Sequence, residues 1–194
     1  MAVFATATTR DLVFASDEVA EELDEMQFTL GEGPCLDAYR FHRPELYEDM
    51  AGAAARARWP FFSSQALTAG AASVYAYPLD DGAGAPFGVL ELYSRSPIAL
   101  TSRDDVTCRS YAHSIAHAVL VELTPTYALT GGSGVGVFRR GNVHIACGIL
   151  AAHHEISVEE AMVRLRAQAF ARQRRITEIA RDVIAGDRFE PGLL

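Results

Sequence analysis

The sequence of 194 residues predicts an α+β protein, in which an antiparallel sheet with its helices is followed by a small module of three helices. Three observations lead to this prediction. Strand-like and helical patterns alternate over residues 1–123. Pro125 and four nearby glycines mark residues 124–138 as a linker that breaks the preceding helix. Residues 139–194 contain only helical patterns, so we predict two domains joined by a Gly-rich segment.

The first strands and helices follow from local turn and cap residues. Ala2–Ala7 and Asp11–Ala15 are predicted to be two short strands separated by a polar turn. Ser16 is predicted to cap the next helix, because the acids in its first turn suit the positive end of the helix dipole. Gly31–Pro34 ends that helix. Pro60 begins a second short helix, since proline at the first helical position loses no hydrogen bond.

A hairpin and a long helix complete the first domain. Ser73–Leu79 and Phe87–Tyr93 are rich in β-branched and aromatic residues and flank a turn of aspartates and glycines, which predicts two antiparallel strands. Ser102 is predicted to cap the long helix, with Asp105 three residues later as in a capping box. The buried stripe of this helix is predicted at Val106, Ile115, Val119 and Leu123.

Three helices are predicted in the last third of the chain. Asn142 is predicted to cap the first, Ser157–Glu160 forms a capping box for the second, and Gly186 ends the third. Each helix has only one apolar stripe, so the three must pack together. The predicted apolar faces hold Ile145, Ile149 and Leu150; Val158, Ala161, Met162, Leu165 and Ala169; and Ile176, Ile179, Ala180, Val183 and Ile184.

Charge is distributed unevenly along the chain, whose net charge is −8. Residues 139–194 hold nine Arg against seven acids, whereas residues 1–138 hold eight Arg against eighteen acids. A basic module on an acidic chain indicates a polyanionic partner such as nucleic acid, because the planar guanidinium binds phosphate in bidentate fashion. The alternative is a solvated helix face balanced by Glu159, Glu160 and Glu178. The arginines concerned are Arg164, Arg166, Arg172, Arg174, Arg175 and Arg181.

The cysteines and histidines give weaker signals. Cys35, Cys108 and Cys147 are odd in number and far apart, which favours a reducing compartment and argues against a disulfide scaffold or a zinc knuckle. Cys35 is either a redox-sensing thiol or a small buried residue, and a catalytic pair with Cys108 is a further alternative. His113 and His117 have metal-ligand spacing, but no acid completes the set, so we prefer a packed helix face and predict no metal.

The sequence gives no sign of export or membrane insertion. The N-terminal segment has no basic residues ahead of an apolar run, unlike a signal peptide. The longest apolar stretches are far shorter than the roughly 20 residues that a membrane-spanning helix needs. We therefore expect a cytoplasmic protein with no membrane partner.

The C-terminal module resembles an ANTAR domain. The resemblance rests on Ala146–Leu150, Ile156–Ala161, Leu165–Arg166 and Ile179–Ile184, whose residue types and spacing agree with the three helices of that family. Members of the family are antiterminators that bind paired stem-loops in nascent transcripts, so the resemblance implies that RNA is the partner. The implied contact residues are Gly148, Arg164, Arg166, Arg172, Arg175 and Arg181.

The first domain resembles a GAF domain of the kind fused to ANTAR modules in actinobacteria. The most specific stretch is Gly31–Ala38, and Trp59–Phe61 and Gly88–Ser94 agree as well. GAF domains sense small molecules or redox state, so the resemblance implies an unknown signal or cofactor in the first domain. Its aromatic residues either line a ligand pocket or form an ordinary core. The predicted pocket residues are Cys35, Trp59, Phe61, Tyr75 and Tyr77.

Together these observations predict a signal-responsive antiterminator without catalytic residues. A homodimer is expected, because two stem-loops require two modules. In addition, the first strand begins almost at Met1, which leaves a sheet face for a partner or for residues further upstream to cover. Two alternatives stay open: a sensor whose basic helices bind a protein, and a GAF-type thiol enzyme that uses Cys35 and Cys108.

Overall fold

The computed structural model describes residues 1–4, 10–80, 82, 85–130 and 140–186, with residues 122–130 described by their backbone alone. Within these residues the fold is α+β, as predicted, with a five-stranded antiparallel sheet and a C-terminal set of three helices. The chain divides into two compact units, Met1–Gln27 with Glu32–Phe138 and Phe28–Gly31 with Arg139–Leu194. The domain boundaries at residues 123/124 and 138/139 stay predictions, and residues 131–138 of the predicted linker lie outside the described residues.

The sheet of the first unit consists of β1 (Ala2–Phe4), β2 (Arg10–Leu12), β3 (Glu45–Tyr47), β4 (Ser73–Leu79) and β5 (Gly88–Ser94). The strand order is β2-β1-β5-β4-β3, and every neighbouring pair is antiparallel. The predicted hairpin is β4 and β5, paired from Ser73 opposite Ser94 to Leu79 opposite Gly88. Because successive side chains point to opposite faces, this register decides which residues meet each layer of helices.

Helices cover both faces of the sheet. They are α1 (Glu18–Leu30), α2 (Pro34–Phe41), α3 (Ala53–Arg58), α4 (Pro60–Thr68) and α5 (Ser102–Thr130). On one face Tyr77 of β4 shares a hydrophobic cluster with Ala112 and Ala116 of α5. On the other face Ala76 shares a cluster with Cys35 of α2. The α2 side and the α5 side of the sheet are therefore chemically separate environments.

The structure corrects the predicted start of both long helices. At α1 the carboxylate of Asp17 accepts a first-turn backbone N–H at 2.9 Å, so Asp17 and not Ser16 is the capping residue. At α5 the hydroxyl of Thr101 accepts the N–H of Asp104, and the carboxylate of Asp104 accepts that of Thr101. The capping box therefore lies one residue earlier than the predicted Ser102–Asp105. In both cases adjacent residues carry equally suitable oxygens, so the local sequence does not separate them.

Packing accounts for the other differences in the first unit. The sequence gives no clear signal for α2, β3 or α3, which are eight, three and six residues long. In α5, Val106 is 63% exposed, contrary to the predicted buried stripe, and two alanines that face β4 are buried instead. Ile115 and Val119 are partly buried, whereas Leu123 lies outside the described side chains.

α5 continues beyond the predicted start of the linker. It runs through Pro125 to Thr130, so the prediction that the helix is broken from residue 124 is wrong. An internal proline removes one backbone hydrogen bond and strains the turn before it, but the neighbouring hydrogen bonds of the helix do not depend on that residue. A helix of 29 residues therefore precedes the glycine run.

The second unit contains the predicted three helices, α6 (Gly141–His154), α7 (Val158–Ala171) and α8 (Ile176–Ala185). Ser157 caps α7, since its hydroxyl accepts the N–H of Glu160 at 3.0 Å. Gly186 ends α8 in the left-handed conformation, as predicted. The predicted Asn142 cap is wrong, because α6 begins at Gly141, so its N-cap position is Arg140, two residues before Asn142, and it has no side-chain cap.

Small and aliphatic residues form the core of the three helices. Ala146, Ala161 and Ala180 are completely buried, and their short side chains let the helices approach closely. Most of the predicted apolar residues are buried or partly buried, which confirms the apolar stripes. Three residues of the predicted stripes are exposed instead: Ile145, Val158 and Ile184.

Candidate nucleic-acid interface and sensor site

Two arginines of the second unit are paired with acids that lie close to them in the sequence. Arg164 pairs with Glu160 at 2.5 Å, and Arg174 is held by Glu178 at 3.2 Å and Asp182 at 2.6 Å. Pairs at this spacing stabilise a helix surface modestly. Arg164 and Arg174 therefore fit the balanced helix face that the sequence offered as the alternative to a nucleic-acid site.

Three other arginines are exposed around the start of α8. Arg172 follows the last residue of α7, Arg175 precedes the first residue of α8, and Arg181 lies on the outer side of α8. None of the three forms an ion pair within the part of the chain that the structure describes, and we call them the free arginines. α8 begins without a side-chain cap, and the first N–H groups of an uncapped helix are donors suited to an anion. Arg166, another predicted contact residue, is partly buried.

Gly148 lies in the middle of α6 on its exposed side. A Cβ atom added at this position meets no described atom within 4 Å, and the residue has no positive φ. Neither packing nor backbone conformation therefore requires glycine, although glycine in a helix interior is about 0.8–1 kcal/mol less favourable than alanine. A glycine without an internal reason is typical of a place where another molecule comes close to the backbone.

The five predicted pocket residues of the first unit do not meet in one pocket. Cys35 lies on the α2 side of the sheet, and the indole of Trp59 donates a hydrogen bond to Asp37 of α2. Tyr75 and Tyr77, in contrast, face α5. Phe61 is 54% exposed. The alternation of β4 separates these side chains, because its odd-numbered residues point away from the α2 side. Trp59 and the two tyrosines therefore belong to the aromatic core, the other interpretation that the sequence left open.

Trp59, Tyr75 and Tyr77 each have a polar partner. The indole N–H of Trp59 donates to Asp37 at 3.0 Å, and the hydroxyl of Tyr77 donates to Asp105 at 3.1 Å. The hydroxyl of Tyr75 donates to a backbone carbonyl. Such bonds fix aromatic residues in one orientation. Tyr77 also lines an open cleft of about 230 Å³, together with His42, Pro44, Pro78, Asp80, Arg109, Ala112 and His113.

A polar cluster that the sequence does not reveal lies on the α2 side of the sheet. We call Arg10, Asp24, Gln27, Cys35 and Glu91 the Glu91 cluster. Arg10 and Asp24 form an ion pair in which both side chains are buried. Gln27 Nε2 donates to both carboxylate oxygens of Glu91, at 3.0 and 2.9 Å, and Gln27 Oε1 accepts the backbone N–H of Cys35 at 2.7 Å. The cluster therefore joins β2, α1, α2 and β5.

Burial changes the titration of two groups in this cluster. Burial raises the pKa of Glu91 to about 7, and the charge of Asp24 acts in the same direction, while the hydrogen bond from Gln27 and the charge of Arg10 oppose the shift. Burial also raises the pKa of the Cys35 thiol far above its ordinary value. A thiol that stays protonated and buried is a poor nucleophile, so Cys35 fits a small buried residue better than a redox sensor.

The positions of the remaining candidates bear on the thiol and metal alternatives. Cys35 and Cys108 pack into clusters on opposite faces of the sheet, so they do not form a pair. His113 and His117 are both exposed rather than packed, contrary to the preferred interpretation. The described residues contain no group of three or more potential metal ligands. Among the helices in the described ranges, none combines the length and apolar character that a membrane crossing requires.

Comparison with known protein families gives two matches. The GAF domain model matches residues 2–119, which is more than half of the chain, and the ANTAR domain model matches residues 139–184. The two matches follow each other in the order that the resemblances imply. No curated protein and no solved structure matches the chain.

Proposed function

Because the chain belongs to the GAF domain family and carries an ANTAR domain after its GAF domain, it is a sensor-regulated antiterminator, and we propose that it binds paired stem-loops of RNA as a homodimer. ANTAR domains bind RNA in antitermination, and GAF domains are sensors. The observation that carries the proposal is the division of the module's arginines, which leaves Arg172, Arg175 and Arg181 available around the start of α8.

The free arginines supply the phosphate contacts of this proposal. Arg172 and Arg175 flank one turn, so they contact neighbouring phosphates together with the uncapped N–H groups of α8. Arg181 lies about 9 Å further along the helix axis, at 1.5 Å per residue, and therefore reaches a more distant part of the RNA backbone. Arg164 and Arg174, whose charges are already balanced, contribute less.

Gly148 supplies a contact of a different kind. A loop nucleotide whose sugar or base approaches the α6 backbone needs a position without a side chain. Gly148 is exposed, and neither packing nor backbone conformation within the described residues requires a glycine there. Recognition of RNA loops depends on shape and on splayed bases more than on charge. The free arginines therefore position the stem, while α6 meets the loop.

Two stem-loops require two modules, which is why the proposal includes a homodimer. α5 is 29 residues long, and three of its apolar side chains, Val106, Tyr111 and Val121, are 59–63% exposed. Apolar residues exposed along a long helix are typical of a surface that pairs with another helix. A second copy of α5 covers these apolar side chains, and the resulting dimer brings two modules onto one RNA.

The RNA proposal is tested by fluorescence anisotropy with a transcript fragment that carries two adjacent hairpins. Binding is measured between about 50 and about 200 mM salt, where each phosphate contact contributes about 0.7–0.9 to the slope of log K against log salt. Arg172→Ala, Arg175→Ala and Arg181→Ala should each weaken binding and reduce that slope by about this amount.

Arg103→Ala is the matched control, because it removes an exposed arginine from the first unit, and it should leave RNA binding unchanged. Absence of binding at the lowest salt concentration would contradict the RNA proposal and leave the alternative in which these helices bind a protein. Equal affinity for one hairpin and for two would contradict the paired stem-loops but not RNA binding itself.

A further inference from the structure

One glutamine side chain links three elements of the sensor domain. Gln27 is fully buried near the end of α1, with its amide nitrogen directed at Glu91 of β5 and its amide oxygen at the first turn of α2, where it accepts the N–H of Cys35. An amide has donors at one end and acceptors at the other, so the link exists in only one orientation of the Gln27 amide. That orientation requires acceptors on Glu91, which an ionised carboxylate supplies.

Charged and titratable groups from several elements surround Glu91. They are Asp24 of α1, Arg10 of β2, Cys35 of α2 and the amino group of Met1 ahead of β1. The residue opposite Glu91 on β4 is Ala76, which carries no charge. Arg10 is engaged by both the side chain and the backbone carbonyl of Asp24. Both oxygens of Glu91 are bonded to a neutral amide, so its negative charge is only partly compensated.

We propose that the Glu91 cluster makes the sensor domain responsive to protons, because a proton on Glu91 leaves one accepting oxygen where the carboxylate has two and so weakens the hydrogen-bonded link from β5 through Gln27 to α2. A neutral carboxylic acid has one accepting oxygen and one oxygen that carries hydrogen. The hydroxyl oxygen then faces the amide N–H₂ with a donor of its own, so at least one bond to Glu91 is lost. If the amide turns over, its N–H₂ faces the Cys35 N–H, which leaves two donors opposed and unsatisfied.

The pH range of this response follows from the burial of the Glu91 carboxyl group. Burial, together with the charge of Asp24, raises the pKa of Glu91 to about 7. Glu91 as a whole residue is only partly buried, although its carboxyl group lies in a buried environment. The signal is therefore the proton itself, and the response does not depend on whether the C-terminal helices bind RNA.

The experiment is an NMR titration of the full chain, labelled with ¹³C at glutamate carboxyl groups and with ¹⁵N in glutamine side chains and cysteine amides. From about pH 5 to about pH 9, we expect the Glu91 carboxyl, the Gln27 side-chain amide and the Cys35 backbone amide to shift together. Their shared midpoint should lie near 7. Glu91→Gln retains the shape of the side chain but cannot titrate, so the transition at Gln27 and Cys35 should disappear.

Glu22→Gln removes a carboxylate from the exposed side of α1 and is the matched control, which should keep the transition. A Glu91 midpoint below about 5, close to that of an ordinary glutamate, would overturn the proposal. So would Gln27 and Cys35 signals that stay fixed while Glu91 titrates, or a transition that persists in Glu91→Gln. The wild-type titration decides between these outcomes even if the variant does not fold.

Discussion

Gly148→Ala should raise the stability of the protein and lower its affinity for RNA. The substitution therefore distinguishes what the fold requires at this position from what a bound RNA requires. The substitution adds one methyl group to the exposed side of α6 and changes neither charge nor polarity. Within the described residues that methyl group meets no atom within 4 Å. The protein alone therefore gives no reason to prefer glycine, and any loss on substitution must come from a bound molecule.

The effect on stability follows from helix propensity. Alanine is favoured over glycine in a helix interior by about 0.8–1 kcal/mol, and no steric clash offsets this gain. For a unit of this size, such a gain raises Tm by about 4–8 °C. Differential scanning calorimetry of the full chain should show one transition displaced upward by this amount.

The effect on RNA binding should have the opposite sign. A methyl group placed where a sugar or base lies in contact costs about 1–3 kcal/mol, as in overpacked interfaces, which is about a 5- to 150-fold loss of affinity. Gly141→Ala is the matched control, since Gly141 begins the same helix and its Cβ would also meet open space. If Gly148→Ala stabilises the protein but binds RNA like the wild type, no molecule approaches α6 there and the assignment of Gly148 fails.

Three further predictions concern the sensor domain. The pKa of Glu91 is about 7 in the folded chain against an ordinary 4.5, so the folded state holds this proton more tightly than the unfolded state. Its contribution to stability is therefore complete below about pH 4.5 and lost as pH rises through about 7, a change of up to about 3 kcal/mol. Urea unfolding at several pH values should show this loss in the wild type; an identical pH slope in Glu91→Gln would contradict the assignment. Trp59→Phe removes the indole donor to Asp37 and should lower the free energy of unfolding by about 1–2 kcal/mol, whereas an unchanged urea midpoint would mean that this bond does not stabilise the fold. Iodoacetamide should modify the partly exposed Cys108 well before the buried Cys35, as followed by peptide mass spectrometry, and equal rates would show that Cys35 is accessible in solution.

Local signals predict the ends of helices well where one residue dominates. Ser157 begins α7 and Gly186 ends α8, because each cap depends only on residues within one helical turn. The same reasoning fails by one residue at Thr101 and Ser102, where adjacent hydroxyls offer the same hydrogen bond. The local sequence thus predicts that a helix is present more reliably than it predicts the residue at which the helix begins.

The helix α2 shows what the local sequence does not contain. Gly31–Pro34 ends α1, as predicted, but Pro34 is also the first residue of α2. Eight residues are too few to display a helical period, and this helix is stabilised by burying residues such as Cys35 and Ala38 against the sheet. Those contacts join parts of the chain that are distant in sequence, so they appear only in the folded structure.

The candidate sites, like α2, depend on contacts that appear only in the folded structure. The arginines of the last third are recognisable as a group from composition, and the acids four residues from Arg164 and Arg174 are visible in the sequence. Which arginines stay free depends on the side-chain geometry of the folded helices. The Glu91 cluster is assembled from four elements, and its one sequence signal is that Glu91 lies two residues after the buried Val89, on the same face of β5.

The small number of free arginines limits how the RNA can be recognised. Three free arginines in each module give a salt slope of about −2 to −3 for one module and of about −4 to −5 for two modules on one RNA. The slope therefore counts the modules engaged, and the smaller value on a two-hairpin RNA would contradict the homodimer. If so few phosphate contacts form, we expect most of the discrimination to come from loop shape, and Gly148 is the position on α6 where we propose that the loop approaches. In the homodimer that we propose, two modules bind one RNA together, so removing the contacts of one module should reduce affinity for a two-hairpin RNA far more than affinity for a single hairpin.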